Sequence, residues 1–126
     1  MAHTWRRRVL ACDVDAEAVR VTRANARRNR VSALVRVRHA DGFAFGVRAA
    51  GPFDLVCANI LARPLMRMAP ALGRALAPGG VAVLSGFLKR DGAAVQAAAR
   101  RAGLHLARRI DVGDWRTLVV RRRGLV

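Results

Sequence analysis

Asn59 carries the chemistry that this sequence makes most visible. It ends the apolar run Phe53-Asp54-Leu55-Val56-Cys57-Ala58 and opens the tetrapeptide Asn59-Ile60-Leu61-Ala62, which leads into Arg63-Pro64-Leu65. A carboxamide both donates and accepts hydrogen bonds, and in open α/β sheets the carboxyl ends of the strands face the ligand crevice. The same residue would alternatively cap a helix that starts near Pro64. Two acids mark a second strand end, where Val9-Leu10-Ala11-Cys12 runs into Asp13-Val14-Asp15. Asp15 suits the N-cap of the helix that follows, which leaves Asp13 as the acid available to a ligand. The dipole of that helix would favour an acid at Asp13 without any ligand.

The remaining reactive side chains are quiet. Cys12 and Cys57 are the only cysteines, each lies in an apolar strand, and neither has a second ligand at metal spacing, so buried free thiols are expected and no metal site. His3, His39 and His105 lack the companions of a nucleophilic triad. His39 ends a strand, where it would either approach a ligand pocket or be exposed and satisfied locally. Trp5 and Trp115 with four Phe and no Tyr make no platform for stacking bases.

The elements that must position these groups follow from periodicity. Ala16 to Asn29 has apolar residues at helical spacing (Ala18, Val19, Thr22, Ala26) and a face of Arg20, Arg23, Arg27 and Arg28. Val35-Arg36-Val37-Arg38-His39 alternates as a strand and runs into Ala40-Asp41-Gly42. After the Asn59 strand come a helix from about Pro64 to Leu76, a turn at Ala77-Pro78-Gly79-Gly80 and a strand Val81-Ala82-Val83-Leu84-Ser85. A small-residue helix over 92–102 and strands near 106–111 and 117–122 complete the chain. Strands and helices alternating at this length imply an α/β fold with a mostly parallel sheet and helices on both faces, because parallel neighbours need a crossover.

Asp13-Val14-Asp15-Ala16-Glu17-Ala18-Val19, Asn25-Ala26 with Asn29, Asn59-Ile60-Leu61-Ala62 with Pro64-Leu65, Pro78-Gly79-Gly80 and Leu84-Ser85-Gly86-Phe87-Leu88 together resemble the class I S-adenosylmethionine-dependent methyltransferases. Within that class the chain is most similar to the PrmA group, which methylates protein eleven of the large ribosomal subunit. The acids after the second strand and the Pro-Gly-Gly turn mark the class; Asn-Ile-Leu-Ala discriminates the group. The resemblance implies a Rossmann-like sheet with S-adenosylmethionine as cofactor, Asp13 accepting both ribose hydroxyls, and Asn59 beside the transferred methyl, positioning the incoming amine. Asp41 stands where related enzymes often hold the adenine amino group. The family's glycine-rich loop, first strand and first helix have no counterpart before Val9, and the eleven glycines are scattered. The chain therefore reads as the later part of a catalytic domain, entered at the second strand, with Met1 as an internal start. In the family the missing strand lies between the strands of Cys12 and Cys57, which implies a gap there.

With 126 residues and 53% apolar content the chain suits one domain, 1–126, with a real core. The 24 basic residues against 8 acidic give a net charge of +16, and every basic residue but Lys89 is arginine. Such a surface attracts nucleic acid by counterion release. The arginines are nonetheless spread over different elements, and abundant Ala, Arg, Gly and Val is also the product of a GC-rich coding sequence. No apolar stretch approaches membrane length and no signal peptide is visible, so the cytoplasm is the expected location.

Methyltransfer to a ribosomal-protein amine is thus the expected function, inactive in these 126 residues alone. A non-catalytic basic remnant that binds acidic partners such as RNA is the competing reading. An RNA methyltransferase is a further one, although RNA-base methylators of this class more often follow the Asn or Asp with prolines and an aromatic ring.

Overall fold

The computed structural model describes residues 1–43, 47 and 50–125. The chain divides into two compact units, Met1–Ala50 and Gly51–Val126.

The first unit contains α1 (Ala2–Trp5), β1 (Val9–Asp13), α2 (Ala16–Arg28) and β2 (Val35–His39). β1 and β2 pair in parallel from Val9↔Val35 to Asp13↔His39, so α2 is the crossover that parallel neighbours require. The Asp15 carboxylate caps α2 by accepting the Glu17 amide at 2.9 Å. Arg27 and Arg28 sit in its last turn, where positive charge complements the helix dipole. Ala2, Val19, Ala26, Val31 and Val47 are buried here, and Val9, Leu34 and Val35 pack against the cluster of Ala2, Ala26 and Val31. The one-turn helix α1 carries no sequence signal, yet it supplies Ala2 to this cluster.

The second unit contains β3 (Phe53–Asn59), α3 (Ala62–Ala75), β4 (Leu76–Leu88), a 3-10 turn at Lys89–Asp91, α4 (Gly92–Arg101), β5 (Leu104–Val112) and β6 (Trp115–Arg122). Its sheet runs β3-β4-β6-β5, with β3–β4 parallel and β6 antiparallel to both β4 and β5. The register puts Val56 and Ala58 of β3, Ala82 and Leu84 of β4, and Val120 and Leu118 of β6 on one face. α3 and α4 pack on each other and on this sheet. α3 buries Leu65, Ala69, Leu72 and Gly73, a stripe at helical spacing, and α4 buries Val95, Ala98 and Ala99. Leu65, Leu72, Leu76, Leu84, Leu104, Leu118, Val95 and Val120 are the largest fully buried side chains. Each contributes about 1.5–3 kcal/mol relative to exposure.

Two expectations change. The Pro78-Gly79-Gly80 turn belongs to the start of β4 as a bulge: between Phe53↔Leu76 and Leu55↔Val81 the register jumps, and Gly79 adopts φ 79° to make the excursion. As the helix expected from about Pro64 to Leu76 requires, α3 runs through Pro70, which removes one helical hydrogen bond; the buried stripe on either side holds the helix together. Cys12 and Cys57 are free but exposed, not buried, because they lie on β1 and β3, each a terminal strand of its sheet. The Cys12 sulfur itself tucks against the Gly42 carbonyl, at 3.9 Å. That partial desolvation pushes its thiol above the usual pKa, and the neighbouring Asp13 charge adds to the effect. Among the described residues the strands form two sheets, β1-β2 and β3-β4-β6-β5.

Gly73 marks the closest helix packing, since a Cβ there would stand 2.4 Å from the Ala102 carbonyl oxygen. Gly73→Ala gains about 1 kcal/mol of helix propensity, but a backbone oxygen cannot yield that space. We expect a net loss of about 1–3 kcal/mol, read as a lower urea midpoint with unchanged m-value; an unchanged or higher midpoint refutes this packing.

Candidate functional site

An open cavity of about 530 Å³ lies at the carboxyl end of β3 in the second unit. Three segments converge on it: Asn59-Ile60-Leu61 leaving β3, Ser85-Gly86 in β4, and Trp115-Arg116-Thr117 opening β6. β3 and β6 flank β4 on its two edges, so the cavity is walled by the β3–α3 connection and the start of β6, with β4 between them.

Asn59 is held firmly. The last β3–β4 partners are Asn59↔Ser85, and the Ile60 amide donates to the Ser85 carbonyl at 3.1 Å. The Ser85 hydroxyl donates to Asn59 Oδ1 at 3.3 Å. Gly86 adopts φ 88°, and a Cβ there would lie 2.7 Å from both Asn59 Oδ1 and the Ile60 nitrogen. The backbone can approach this closely only because residue 86 is glycine. The amide Nδ2 of Asn59 makes no hydrogen bond among the described residues, which leaves two donors for the cavity. The alternative role as a helix cap falls away: the N-cap of α3 is Leu61, and no side chain caps that helix.

The β6 wall rests on an ion pair. Arg116 donates to both carboxylate oxygens of Asp111 across the β5–β6 ladder, at 2.7 and 2.9 Å. The two side chains are 17% and 32% exposed. Gly92, at the start of α4, leaves room for the guanidinium, since a Cβ there would sit 2.6 Å from Arg116 Cδ. The hydrogen bonds from Arg116 hold the Asp111 carboxyl below its ordinary range and raise the Arg116 guanidinium. The hairpin turn between them has Gly113 at φ 57°, the positive value that primed hairpin turns demand. The Lys89 amide anchors the turn by donating to the Asp114 carbonyl at 2.9 Å. Among the described residues no Asp or Glu lines the cavity.

The first unit holds the other residues singled out by the sequence. Asp13 ends β1, and its Oδ1 accepts the Asp15 amide at 3.0 Å while its other carboxylate oxygen makes no hydrogen bond among the described residues. His39 is exposed and its ring Nε2 lies 2.7 Å from the Val14 carbonyl, so the ring donates there and ties the β2 end to the β1 end. Asp41 lies exposed just past β2. Among the described residues no group of three His, Cys, Asp or Glu side chains could hold a metal ion. Asn59 and Asp13 thus stand in different units, each at a strand end. Trp115 and the Asp111–Arg116 pair were missed as site residues; Gly113-Asp114 between two strands was the signal, since a tight hairpin fixes which residues open β6.

Two outcomes test this geometry. Gly86→Ala places a methyl group against Asn59 and forces the left-handed region on an L-residue, so the Asn59 side-chain amide resonances should shift in a nitrogen–proton correlation spectrum and the melting temperature should fall. Unmoved Asn59 resonances would contradict the close approach. Asp111 has a lowered folded pKa, so its contribution to stability is complete above the ordinary value of 3.8 and is lost as pH falls through the lowered one. Asp111→Asn should therefore be less stable than the parent at pH 6, and the difference should shrink as the pH is taken below 3.8 towards the lowered value; a difference independent of pH argues against the ion pair.

The comparisons with known proteins agree with this architecture. The family model described as ribosomal protein L11 methyltransferase (PrmA) matches residues 3–123. The ribosomal protein L11 methyltransferase of Bradyrhizobium diazoefficiens is 47% identical over 124 residues, covering 98% of this chain and 42% of the relative. That of Mesorhizobium japonicum is 56% identical over 90 residues, covering 69% of this chain and 30% of the relative. Among solved structures, the ribosomal protein L11 methylase of Lactobacillus delbrueckii subsp. bulgaricus superposes with a TM-score of 0.85 at 26% identity, covering 93% of this chain and 59% of that one. An RNA methyltransferase of Salinibacter ruber, solved with S-adenosyl-L-homocysteine, shares the fold at a TM-score of 0.72 and 21% identity, covering 99% of this chain and 72% of that one. The chain spans about two-fifths of the length of the curated relatives that it matches along nearly its whole extent. With its Rossmann-like α/β fold and a match over almost every residue, the chain belongs to the ribosomal protein L11 methyltransferase family.

Proposed function

We propose that this chain supplies the ribose-binding acid and the amine-positioning amide of an S-adenosylmethionine-dependent protein methyltransferase, and that both units are parts of one catalytic domain. The observation that carries the reading is Asn59, locked by Ser85 and Gly86 with its Nδ2 donors free at an open cavity. The residues present fit the cofactor in part. Asp13 has one carboxylate oxygen held by the Asp15 amide and one unengaged, which suits a pair of sugar hydroxyls. No glycine-rich loop occurs in these 126 residues to bring backbone amides to the methionine portion. S-adenosylmethionine, when bound, supplies an electrophilic methyl group on a sulfonium.

The chain's own residues orient the acceptor. The Asn59 carboxamide aligns the amine nitrogen, and Ile60, Leu61 and Trp115 offer apolar surface around it. Because no carboxylate among the described residues lines the cavity, an incoming amine gains no ion pair from them that would keep it protonated. The substrate is the amines of ribosomal protein L11, by the family's activity, and the site of action is the cytoplasm, where ribosomes are made. No helix among the described residues is long and apolar enough to cross a membrane.

Calorimetry with S-adenosylmethionine tests the reading. Several missing backbone hydrogen bonds to a charged ligand, at about 1.5–3 kcal/mol each, remove a few orders of magnitude in affinity. The 126-residue polypeptide should therefore bind weakly or not at all and transfer no methyl group, while a longer polypeptide extended upstream to include a glycine loop should bind and lose affinity on Asp13→Ala. Micromolar binding by the short polypeptide would show that the loop is dispensable. Steeply salt-dependent RNA binding by both, without cofactor binding by either, would favour the basic-remnant reading.

A further inference from the structure

Charge in the first unit is sorted along its strands. The acids Asp13, Asp15, Glu17 and Asp41 all lie at the carboxyl end of β1 and β2, or in the first turn of α2 beside it. α2 then runs back against the strand direction, so Arg27 and Arg28 in its last turn reach the amino end. There Arg6, Arg7 and Arg8 lead into β1, and Arg30 precedes β2. The Val31 amide donates to the Ala26 carbonyl at 2.9 Å and the Val9 amide to the Leu34 carbonyl at 2.8 Å, which holds these segments together. All six of these arginines are exposed, and among the described residues none of their side chains makes a hydrogen bond or ion pair within the chain. The dipole of α2 accounts for Arg27 and Arg28. It does not account for Arg6 to Arg8 or for Arg30, and a composition rich in arginine does not sort charge to one end.

A groove of about 240 Å³ lies between α2 and β2, lined by Arg23, Ala26, Arg27, Ser32, Val35 and Val37. Arg23 is anchored by donating to the Val37 carbonyl at 3.3 Å, which leaves its other N–H groups for a ligand. Arg27 and the Ser32 hydroxyl have no hydrogen-bond partner among the described residues. The groove is smaller than the ~300–1,000 Å³ of sites that enclose a whole small molecule. It suits one unit of a longer polymer: two guanidiniums for a phosphodiester, an apolar floor for the sugar and a hydroxyl for a 2′-hydroxyl. The arginines at the amino end continue the same charge beyond the groove, where neighbouring phosphates would lie. Of the large exposed apolar side chains in this unit, Met1, Trp5, Val14 and Val21, none lines the groove. A protein partner needs apolar anchors at the centre of its interface, whereas nucleic-acid interfaces are more polar and far more positive.

We infer that the amino end of β1 and β2, with the groove of Arg23, Arg27 and Ser32, is a docking surface for the ribose-phosphate backbone of RNA. It lies at the opposite end of β1 from Asp13 and goes beyond the function proposed above. Contacts of this kind hold a polynucleotide without reading its sequence. Because each neutralised phosphate releases counterions, they weaken as salt rises.

Fluorescence anisotropy of a labelled RNA hairpin, and of the DNA hairpin of the same sequence, tests the assignment on the 126-residue chain. The RNA should bind with a dissociation constant of roughly 10⁻⁶–10⁻⁴ M at physiological salt and weaken steeply as salt is raised. Arg23→Gln combined with Arg27→Gln should cost about five-fold or more and reduce the logarithmic salt slope by about 2. Removing the same charge from the exposed Arg108 and Arg121 of the second unit, each to Gln, should stay within about two-fold. Arg27→Gln alone breaks no hydrogen bond in the chain, so it should weaken binding with an unchanged circular dichroism spectrum. Ser32→Ala should weaken the RNA complex and leave the DNA complex as it was. Equal losses from the two double variants overturn the inference, because the charge would then act without a site. An RNA preference unmoved by Ser32→Ala, or polyglutamate competing as well as RNA at equal charge, overturns the ribose-phosphate assignment. Absence of RNA binding by the parent chain overturns the inference too, and none of these outcomes bears on binding of S-adenosylmethionine by the longer polypeptide.

Discussion

Hydrogen bonding along both edges of β4 is the constraint from which the second unit takes its form. β4 must satisfy a parallel neighbour on one side and an antiparallel one on the other while burying Ala82, Leu84 and Phe87 on one face. The parallel side requires a crossover, which α3 provides, and the antiparallel side admits β6 by way of α4 and the β5–β6 hairpin. Two of the sheet's irregularities fall in the ladders of β4. One lies near Gly79-Gly80, and another between Leu84 and Phe87, where Gly86 swings the strand against Asn59 and Ile60. The site is therefore built where the β3–β4 ladder ends and β4 continues beside β6 alone, which is also where a bulge re-aims side chains.

Much of this was legible because the strongest signals were local. β2 and β3 have the bounds that alternation and apolar runs give, and α2 and α4 each end within a residue of theirs. Asp15 is the cap that its position before Ala16-Glu17 suggested. The misreadings were non-local. Pro-Gly-Gly is turn chemistry in any window, and only the neighbouring strand Phe53–Asn59 makes it a bulge inside β4. Burial of Cys12 and Cys57 was inferred from apolar neighbours in sequence, whereas exposure depends on which strand is last in its sheet. Asn59 was visible at a strand end, but Ser85 and Gly86, which fix its orientation, lie 26 and 27 positions away.

The arginine excess also has a partly structural account. Arg122 donates to the carbonyls of Arg74 and Leu76, closing the carboxyl end of α3 from a neighbouring strand. Arg23 reaches the Val37 carbonyl from α2, Arg20 pairs with Glu17 one turn away, and Arg116 holds Asp111. A forked, permanently charged donor suits these carbonyl and carboxylate contacts better than lysine does. Arginine thus stitches a helix to a strand at two places, whatever the origin of the excess.

The first unit buries small and β-branched side chains, Ala2, Val19, Ala26, Val31 and Val47, and no leucine among its described residues, whereas the second unit buries a set of leucines. Fewer buried apolar atoms give the unit that carries Asp13 the smaller core of its own to resist local opening. Any ligand that engages Asp13 would then act first as a folding partner, adding order to the weaker unit in proportion to the logarithm of its concentration over its dissociation constant.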